Sequence, residues 1–397
     1  MRSMTNTLTI LFAMSLLIVF SMCLSFDAAL AEEIELPVTG TDQVRTAKTL
    51  MLSSGEHVQL DGLFNAETGM PVFEDVSSVF RFTVENGMAY LLTGGGVGFQ
   101  EYDAGLALVN VSDPYSPDLV SFAEVSHAGG TDVAVRNDFA YVTEYLGDAL
   151  YVINMHAPEG PDVVDVFELN QSHRQLYGLA IDENVLYVDD GDYLWSINIA
   201  DPWNLELICP SERQDDEETS NFRRESSILV KEDEAYLWSP MGMVVVDIED
   251  PEYMPSITSY RAGEFEHGLG FDLEGDYIYG SAGYHGVNTV DVSDPTSPNS
   301  LNTTNTPRYF SAVAAAGDQL YVADPFNRIY VYDIEELRNP GLIRTVDLAQ
   351  DNPRDNHAAG LGRLEVHGDL LVGAKLAQTE FYNWGYRGLV HIFSIED

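Results

Sequence analysis

The sequence predicts an all-β protein: a seven-bladed β-propeller of four-stranded antiparallel blades, with the ring closed by an N-terminal strand in the last blade. Three observations support this prediction. A unit of about 42–51 residues recurs along the chain, which is the spacing of propeller blades. Apolar and polar residues alternate with a period of two, as in strands, and no helical period is present. Short turns rich in Asp, Asn, Gly and Pro separate the strands.

The first half of each unit is an apolar strand, a tight turn and a second strand built around an aromatic residue. In residues 132–142, for example, Asn137 and Asp138 form the turn between two apolar stretches. Asn and Asp suit such turns because they tolerate the left-handed backbone that a tight hairpin needs. Val372 replaces the aromatic residue in the seventh unit. The aromatic residue of the other units is a tyrosine: Tyr90, Tyr141, Tyr187, Tyr236, Tyr279 and Tyr321.

The second half of each unit is a strand of the type V-x-V-D that ends in an Asp-Pro turn. Residues 108–114, 244–251 and 290–295 show this pattern. Asp followed by Pro suits the first two positions of a type I turn. A fourth, more variable strand follows, such as Leu119–Phe122. Each unit therefore supplies four short antiparallel strands, which is the make-up of a propeller blade.

The strand sequences LALVNVSDP, MVVVDIEDP and VNTVDVSDP resemble those of the LVIVD-repeat proteins, a family of exported bacterial and archaeal β-propellers. The resemblance covers roughly residues 79–397. It implies a propeller fold and an exported protein. It implies almost nothing about activity, because propellers carry many unrelated functions.

The N-terminus is typical of a secretory signal peptide, Met1–Ala31. Arg2 supplies a basic start, an apolar stretch follows, and Ala29–Ala31 matches an A-x-A cleavage site. An uncleaved membrane anchor is the alternative. We therefore divide the chain into a signal peptide at 1–31, an N-terminal segment at 32–78 that supplies the closing strand, and a single propeller domain at 79–397. We expect the mature chain to be secreted, periplasmic or at the cell surface, with no membrane span.

The last unit reaches Phe393–Asp397 without a fourth strand, so another part of the chain is expected to supply it. The candidates are Val58–Leu60 and Ile34–Val38. Closing the ring in this way covers a strand edge that would otherwise be open to pairing with another chain.

The chain is strongly acidic. It has 64 Asp and Glu against 19 Lys and Arg, a formal net charge of −45. Such a chain repels phosphate, so nucleic acid is excluded as a partner, and an anionic membrane surface is disfavoured. An acidic surface poor in Lys suits a saline setting, with compositional drift as the alternative. The negative charge favours neutral, cationic or metal-bridged ligands. We also expect the protein to be a monomer.

The long, irregular loops nearly all fall on one face of the predicted ring. They join the second strand of a blade to its third, or one blade to the next, and long loops on a rigid scaffold commonly carry function. The binding residues expected at the channel mouth on this face are Arg81, His127, Asp132, His173, Tyr177, His267, Arg308, His357 and Arg363. The long loops of the first and last blades are expected to form one lip, with Phe99, Glu101, Tyr102, Tyr382, Trp384 and Arg387 as binding residues.

These two groups of residues favour different ligands. An aromatic and acidic lip suits carbohydrate, peptide or small cationic ligands, unless its aromatics only pack the loops onto the blades. The histidines at the mouth, His127, His173, His267 and His357, form a potential divalent metal site. Their spacing differs between blades, so separate histidines are favoured, and no metal ligand or cofactor is assigned. Asp189–Asp192 resembles part of a calcium loop but favours a hairpin turn.

The sequence contains no phosphate-binding loop, nucleophile elbow or zinc signature. We therefore expect an exported β-propeller that binds a small molecule, carbohydrate or protein partner through its long-loop face, without catalysis. The second hypothesis is a hydrolase or lyase at the channel mouth, with or without a metal, because a site assembled from several blades needs no local motif. The third is a structural module at the cell surface.

Overall fold

The computed structural model describes residues 50–52, 55–61, 79–93, 105–112, 118–125, 130–144, 147–156, 161–169, 175–211, 227–239, 242–261, 270–282, 286–303, 309–324, 328–336, 340–347, 361–375 and 389–394. All of them belong to one compact unit, Asp42–Asp397. Their regular elements are β-strands throughout, which confirms the all-β prediction. None of the described residues forms a helix that is long and apolar enough to cross a membrane.

The strands follow the chain in groups. The N-terminal pair is β1 (Leu50–Leu52) and β2 (Gly55–Asp61). Blade 1 contains β3 (Val79–Glu85), β4 (Met88–Thr93), β5 (Gly105–Asn110) and β6 (Asp118–Glu124). Blade 2 contains β7 (Gly130–Arg136), β8 (Phe139–Glu144), β9 (Ala149–Asn154) and β10 (Asp162–Glu168). Blade 3 contains β11 (Leu179–Asp182), β12 (Val185–Asp189), β13 (Leu194–Asn198) and β14 (Glu206–Pro210). Blade 4 contains β15 (Ser227–Lys231), β16 (Glu234–Ser239), β17 (Gly242–Asp247) and β18 (Ser256–Arg261). Blade 5 contains β19 (Phe271–Glu274), β20 (Tyr277–Ser281), β21 (Val287–Asp291) and β22 (Asn299–Thr303). Blade 6 contains β23 (Ala312–Ala316), β24 (Gln319–Asp324), β25 (Arg328–Asp333) and β26 (Gly341–Asp347). The last strands are β27 (Leu361–His367), β28 (Leu370–Lys375) and β29 (Leu389–Ser394).

Within the described residues, six sheets have four strands each, paired antiparallel in chain order. Six four-stranded blades in a propeller arrangement are therefore confirmed, and the prediction of seven such blades is wrong. The remaining sheet, called the closing sheet below, has five strands in the order β1-β2-β29-β28-β27. It has five because the N-terminal segment contributes an antiparallel pair and not a single strand. Val58–Leu60, in β2, pairs with β29, whereas Ile34–Val38 lies outside the described residues.

The first strands of successive blades lie side by side around a common centre. Strand β3 contacts β7, β7 contacts β11, β11 contacts β15, and β19 contacts β23. In the closing sheet, β27 contacts β23 of blade 6 and β3 of blade 1. Blades 4 and 5 meet through Trp238 and Phe271, whose rings stack with their centroids 5.6 Å apart. The first strand of each blade therefore borders the central channel, as in other propellers.

A two-residue turn joins the first and second strands of each blade. Asn137 and Asp138 both have positive φ, 48° and 68°, as a type I′ hairpin requires. Asn86 and Gly87 form the same turn in blade 1, with φ of 52° and 75°. The carbonyl of the second turn residue also accepts a hydrogen bond from the residue that directly follows the third strand. In blade 2, the N–H of Met155 donates to the carbonyl of Asp138 at 2.9 Å. The tight turns predicted between the first and second strands are confirmed, and each holds three strands of its blade together at one end.

The acid or amide that ends each V-x-V-D strand has a structural role. In blade 5, the carboxylate of Asp291 accepts the backbone N–H of Ser293 at 3.0 Å and the Ser293 hydroxyl at 2.7 Å. These two hydrogen bonds lower the pKa of the Asp291 carboxyl, and the bond from the Ser293 hydroxyl has the larger effect. The same bond to the amide two residues on is made by Asn110, Asn154, Asn198, Asp247 and Asp333. This repeated side chain therefore shapes the turn that follows the third strand.

The repeated tyrosines lie between neighbouring blades. Tyr141 packs against Leu186 and Val188 of blade 3 in one apolar cluster, so it joins blade 2 to blade 3. Tyr187 and Tyr236 join the next two pairs of blades in the same way. Burial raises the pKa of these three tyrosines to about 12. The tyrosine positions predicted from the repeat are confirmed as core positions.

Candidate functional site

The pairing register defines three tiers of residues along the first strands, because residues two apart share one face of a strand. The middle tier lies opposite the repeated tyrosine or Val372: Thr83, Ala134, Ala180, Leu229, Asp272, Ala314 and Glu365. The upper tier, two residues earlier and nearer the long-loop face, is Arg81, Asp132, Gly178, Ser227, Gly270, Ala312 and Arg363. The lower tier, two residues later, is Glu85, Arg136, Asp182, Lys231, Glu274, Ala316 and His367. Polar groups in the upper and middle tiers form the candidate site.

One hydrogen bond in the upper tier crosses the channel. Nη2 of Arg81 in blade 1 donates to Oγ of Ser227 in blade 4 at 3.0 Å. Blades 1 and 4 lie on opposite sides of the ring, since blades 2 and 3 stand between them. The Arg81 guanidinium therefore lies across the channel just below its mouth. Ser227 is only 7% exposed, so the bond is shielded from solvent at that end.

An ion pair lies on the closing sheet beside Arg81. Nε and Nη2 of Arg363 approach Oε1 of Glu365 at 2.8 and 2.7 Å. Burial raises the pKa of the Glu365 carboxyl, and the nearby Arg363 offsets this only in part. Burial also acts to lower the pKa of the Arg363 guanidinium, but the carboxylates of Glu365, Asp132 and Asp272 outweigh it, so the pKa is raised. The pair is therefore electrostatically linked to blades 2 and 5.

Two aspartates connect neighbouring blades through backbone amides. Oδ2 of Asp132 accepts the N–H of Leu179 in blade 3 at 3.0 Å. Oδ1 of Asp132 accepts the N–H of the next residue, Val133. Asp272 does the same toward blade 6, where its Oδ2 accepts the N–H of Ala315 at 2.8 Å. Burial raises the pKa of the Asp272 carboxyl, against the opposing effect of these amide bonds. Both carboxylates are thus directed at the next blade.

The lower tier has a different character. Basic and acidic residues alternate over six of its seven positions, and Ala316 is the seventh: His367, Glu85, Arg136, Asp182, Lys231 and Glu274. Lys231 forms an ion pair with Asp276 of blade 5. Burial raises the pKa of the Glu85 carboxyl, with His367 acting in the opposite direction. Opposite charges are neighbours over most of this tier, and exposed pairs of this kind add little to stability.

The structure brings three of the predicted mouth residues onto one tier: Arg81, Asp132 and Arg363. Tyr177 lies just before β11, where its N–H donates to the carbonyl of Asp189 at 2.8 Å and so extends the pairing of β11 with β12. The other predicted mouth residues lie outside the described residues: His127, His173, His267, Arg308 and His357. So do all the predicted lip residues: Phe99, Glu101, Tyr102, Tyr382, Trp384 and Arg387.

Three residues of the site were not predicted: Ser227, Asp272 and Glu365. Ser227 occupies the same tier as Arg81, but a serine at a strand start carries no distinctive signal. Asp272 and Glu365 lie directly opposite the repeated aromatic position. Aligning the units on that position and reading the facing residue would have found both.

The acidic segment Asp189–Asp192 is a hairpin turn, as the sequence favoured. Oδ1 of Asp190 accepts the N–H groups of Asp192 and Tyr193 at 2.9 and 2.7 Å. Its Oδ2 accepts Nε1–H of Trp195 at 2.9 Å. Across the described part of the chain, no group of three or more His, Cys, Asp and Glu side chains is placed to hold a metal ion.

The fold and the repeat together define the class of protein, an all-β propeller. Residues 272–306 and 307–347 each match the family model of the LVIVD repeat. These two stretches correspond to blades 5 and 6. The chain therefore carries LVIVD repeats, and the resemblance to the LVIVD-repeat β-propellers is confirmed.

Solved structures with a similar fold differ widely in sequence. The computationally designed Ika8 protein is 12% identical, with a TM-score of 0.53, and the match covers 81% of this chain and 98% of that one. The structure of U3-55K is 13% identical, with a TM-score of 0.56, and the match covers 80% of this chain and 95% of that one. At this identity the likeness concerns the fold alone. No curated protein matches the sequence.

Proposed function

We propose that this protein is an exported β-propeller that binds a ligand at the channel mouth on its long-loop face. The ligand is a small molecule, a carbohydrate or a segment of a partner protein. Export is supported by the signal-like segment at 1–31. The proposal assigns the rigid blades to support, and the upper tier with the long loops above it to recognition.

We also propose that the closing sheet completes the ring beside the six four-stranded blades, with β2 as the closing strand. This is supported by the contacts of β27 with blade 6 on one side and blade 1 on the other. The pairing of β2 with β29 joins the two ends of the chain within one sheet. A ring closed in this way has no open seam beside the channel, so the mouth keeps its shape.

The observation that carries the binding proposal is the meeting of polar groups from several blades. Arg81 and Ser227 come from blades 1 and 4, Asp132 and Asp272 from blades 2 and 5, and Arg363 from the closing sheet. Burying such groups has a desolvation cost that an apolar channel would avoid. Clusters of polar groups that include residues with a shifted pKa, here Asp272 and Arg363, occur at functional sites.

Thermal unfolding tests the binding proposal. The purified protein is screened against organic acids, amino acids, neutral sugars, polyamines and divalent metal ions. At least one class raises the melting temperature, and this rise is lost in Arg363→Ala but kept in Lys231→Ala, a lower-tier control. A rise that Arg363→Ala leaves unchanged would contradict a mouth site, and so would the absence of any rise.

Catalysis is the second candidate, favoured by the raised pKa of the Glu365 carboxyl. A carboxyl whose pKa is raised by burial is better suited to act as a general acid than an ordinary carboxyl. Each ligand found in the screen is incubated with the protein, and its products are analysed. Conversion by the wild type that disappears in Glu365→Gln, with binding retained, supports this candidate. If every ligand is recovered unchanged, the catalytic candidate is contradicted.

A further inference from the structure

We propose that the group recognised at the channel mouth is the carboxylate of a small molecule, held by the guanidinium groups of Arg81 and Arg363. This inference rests on the proposed mouth site and narrows its ligand class. It departs from the neutral or cationic ligand that the net charge favoured.

The position of Arg81 is the first argument. Its bond to Ser227 places the guanidinium across the channel in the tier nearest the mouth. A ligand that enters from the long-loop face therefore meets this group before it meets the middle or lower tier. The guanidinium is planar, always charged and shaped for two parallel bonds to a carboxylate.

The partner of Arg81 across the channel is the second argument. The Ser227 hydroxyl is a neutral acceptor. A carboxylate adds the attraction of an opposite charge, and it can accept two parallel bonds from one guanidinium, which a hydroxyl cannot. A carboxylate placed between blades 1 and 4 therefore competes well with Ser227 for the same donor.

Arg363 supplies a second positive group at the same height. It occupies the upper tier of the closing sheet, which contacts blade 1, and 28% of its side chain is exposed. Its own partner, Glu365, lies one tier lower and is 20% exposed. Part of the Arg363 side chain is thus accessible, while Glu365 of the same strand holds its guanidinium.

The nearby acids limit the negative charge that a ligand can bring. Asp132 and Asp272 direct their carboxylates at backbone amides of the next blade. Glu365 is already paired with Arg363. The carboxylates of Glu365, Asp132 and Asp272 all act on the Arg363 guanidinium. A singly charged carboxylate therefore meets less repulsion at this place than a doubly charged phosphate would.

Acetate and acetamide test the inference, because they share a shape and differ in charge. Both are titrated into the wild type, with methylphosphonate as the phosphoryl probe and sodium chloride holding the ionic strength constant. Acetate is expected to bind more tightly than acetamide and methylphosphonate. Arg81→Gln and Arg363→Gln are each expected to weaken acetate by about tenfold or more, as the loss of a charged hydrogen bond implies. Lys231→Gln, which removes one positive charge from the lower tier, leaves acetate binding unchanged.

The remaining outcomes overturn the inference. Equal binding of acetamide, tighter binding of methylphosphonate, no binding of acetate, or equal loss in Lys231→Gln would each contradict it. Acetamide or another neutral probe that binds the wild type but not Arg363→Ala would leave the mouth site intact and refute only the ligand class. If Arg81→Gln fails to fold, Arg81→Lys keeps the charge without the two-bond geometry and is expected to weaken acetate as well.

Discussion

The guanidinium of Arg81 and the hydroxyl of Ser227 meet at 3.0 Å although they belong to blades on opposite sides of the ring. This bond bars the channel below its mouth. A ligand at the proposed mouth site would therefore meet a polar floor and would not enter an open pore. The same bond connects two blades that are not neighbours in the ring.

The bond across the channel is expected to stabilise the fold in a way that a double-mutant cycle detects. Arg81→Gln and Ser227→Ala each lower the free energy of unfolding, and the double variant loses less than their sum. The coupling is expected to be about 1–3 kcal/mol, the range for a hydrogen bond to a charged group. Urea unfolding of the four proteins measures it. Additive losses would show that the two side chains do not act together.

Asp132 is expected to matter through the amide that it accepts. Asp132→Ala leaves the N–H of Leu179 buried without an acceptor, since Leu179 is 6% exposed. The expected loss in the free energy of unfolding is about 1–3 kcal/mol. Glu206, an exposed acid on β14, is the control, and Glu206→Ala is expected to change it by less than about 0.5 kcal/mol. Equal losses in the two variants would contradict the connection between blades 2 and 3.

Gly280 leaves space for a tryptophan of the neighbouring blade. A Cβ at Gly280 would lie 2.2 Å from Cζ2 of Trp238, whose indole stacks on Phe271. Gly280→Ala is expected to lower the free energy of unfolding by about 1–3 kcal/mol through overpacking and to shift tryptophan fluorescence. At Gly341 the nearest heavy atom is 4.0 Å away, so Gly341→Ala is expected to be tolerated. A stable Gly280→Ala protein with unchanged fluorescence would be inconsistent with this packing.

Glu365 is expected to make stability fall as pH rises. Burial raises the pKa of its carboxyl above the ordinary 4.5, so the folded protein holds this proton more tightly than the unfolded chain does. The contribution is therefore complete below pH 4.5 and is lost as pH rises through the folded-state pKa. Glutamine does not titrate, so the difference in free energy of unfolding between wild type and Glu365→Gln is expected to decrease from acidic to neutral pH. A difference that grows with pH would mean that the ion pair with Arg363 dominates instead.

The repeat made most of the fold predictable. Tyr141 and its counterparts mark the second strand of each blade, because a tyrosine that recurs at blade spacing within two-residue alternation is typical of a buried strand position. The two-residue turns were predictable because Asn86, Gly87 and Asn137 are residues that accept positive φ. The fifth strand of the closing sheet was not predictable, because β1 and β2 come from a segment outside the repeat and pair with strands far along the chain.

The site was predictable in part. Arg81, Asp132 and Arg363 were identified because they hold equivalent positions at the start of the first strand of their units. Their partners depend on how blades face each other, which no local pattern records. Ser227 is a partner of Arg81 only because blade 4 lies across the channel from blade 1. The direction of Asp132 toward an amide of blade 3, which gives it a structural role, was likewise visible only in the packed ring.

A crystal structure of the wild-type protein with the tightest ligand found by titration tests the central claim most directly. We predict one ligand molecule on the channel axis at the long-loop face, with a carboxylate oxygen about 2.7–2.9 Å from a guanidinium nitrogen of Arg81. A ligand bound at the outer strands or at the lower-tier opening, with Arg81 uninvolved, would contradict the account.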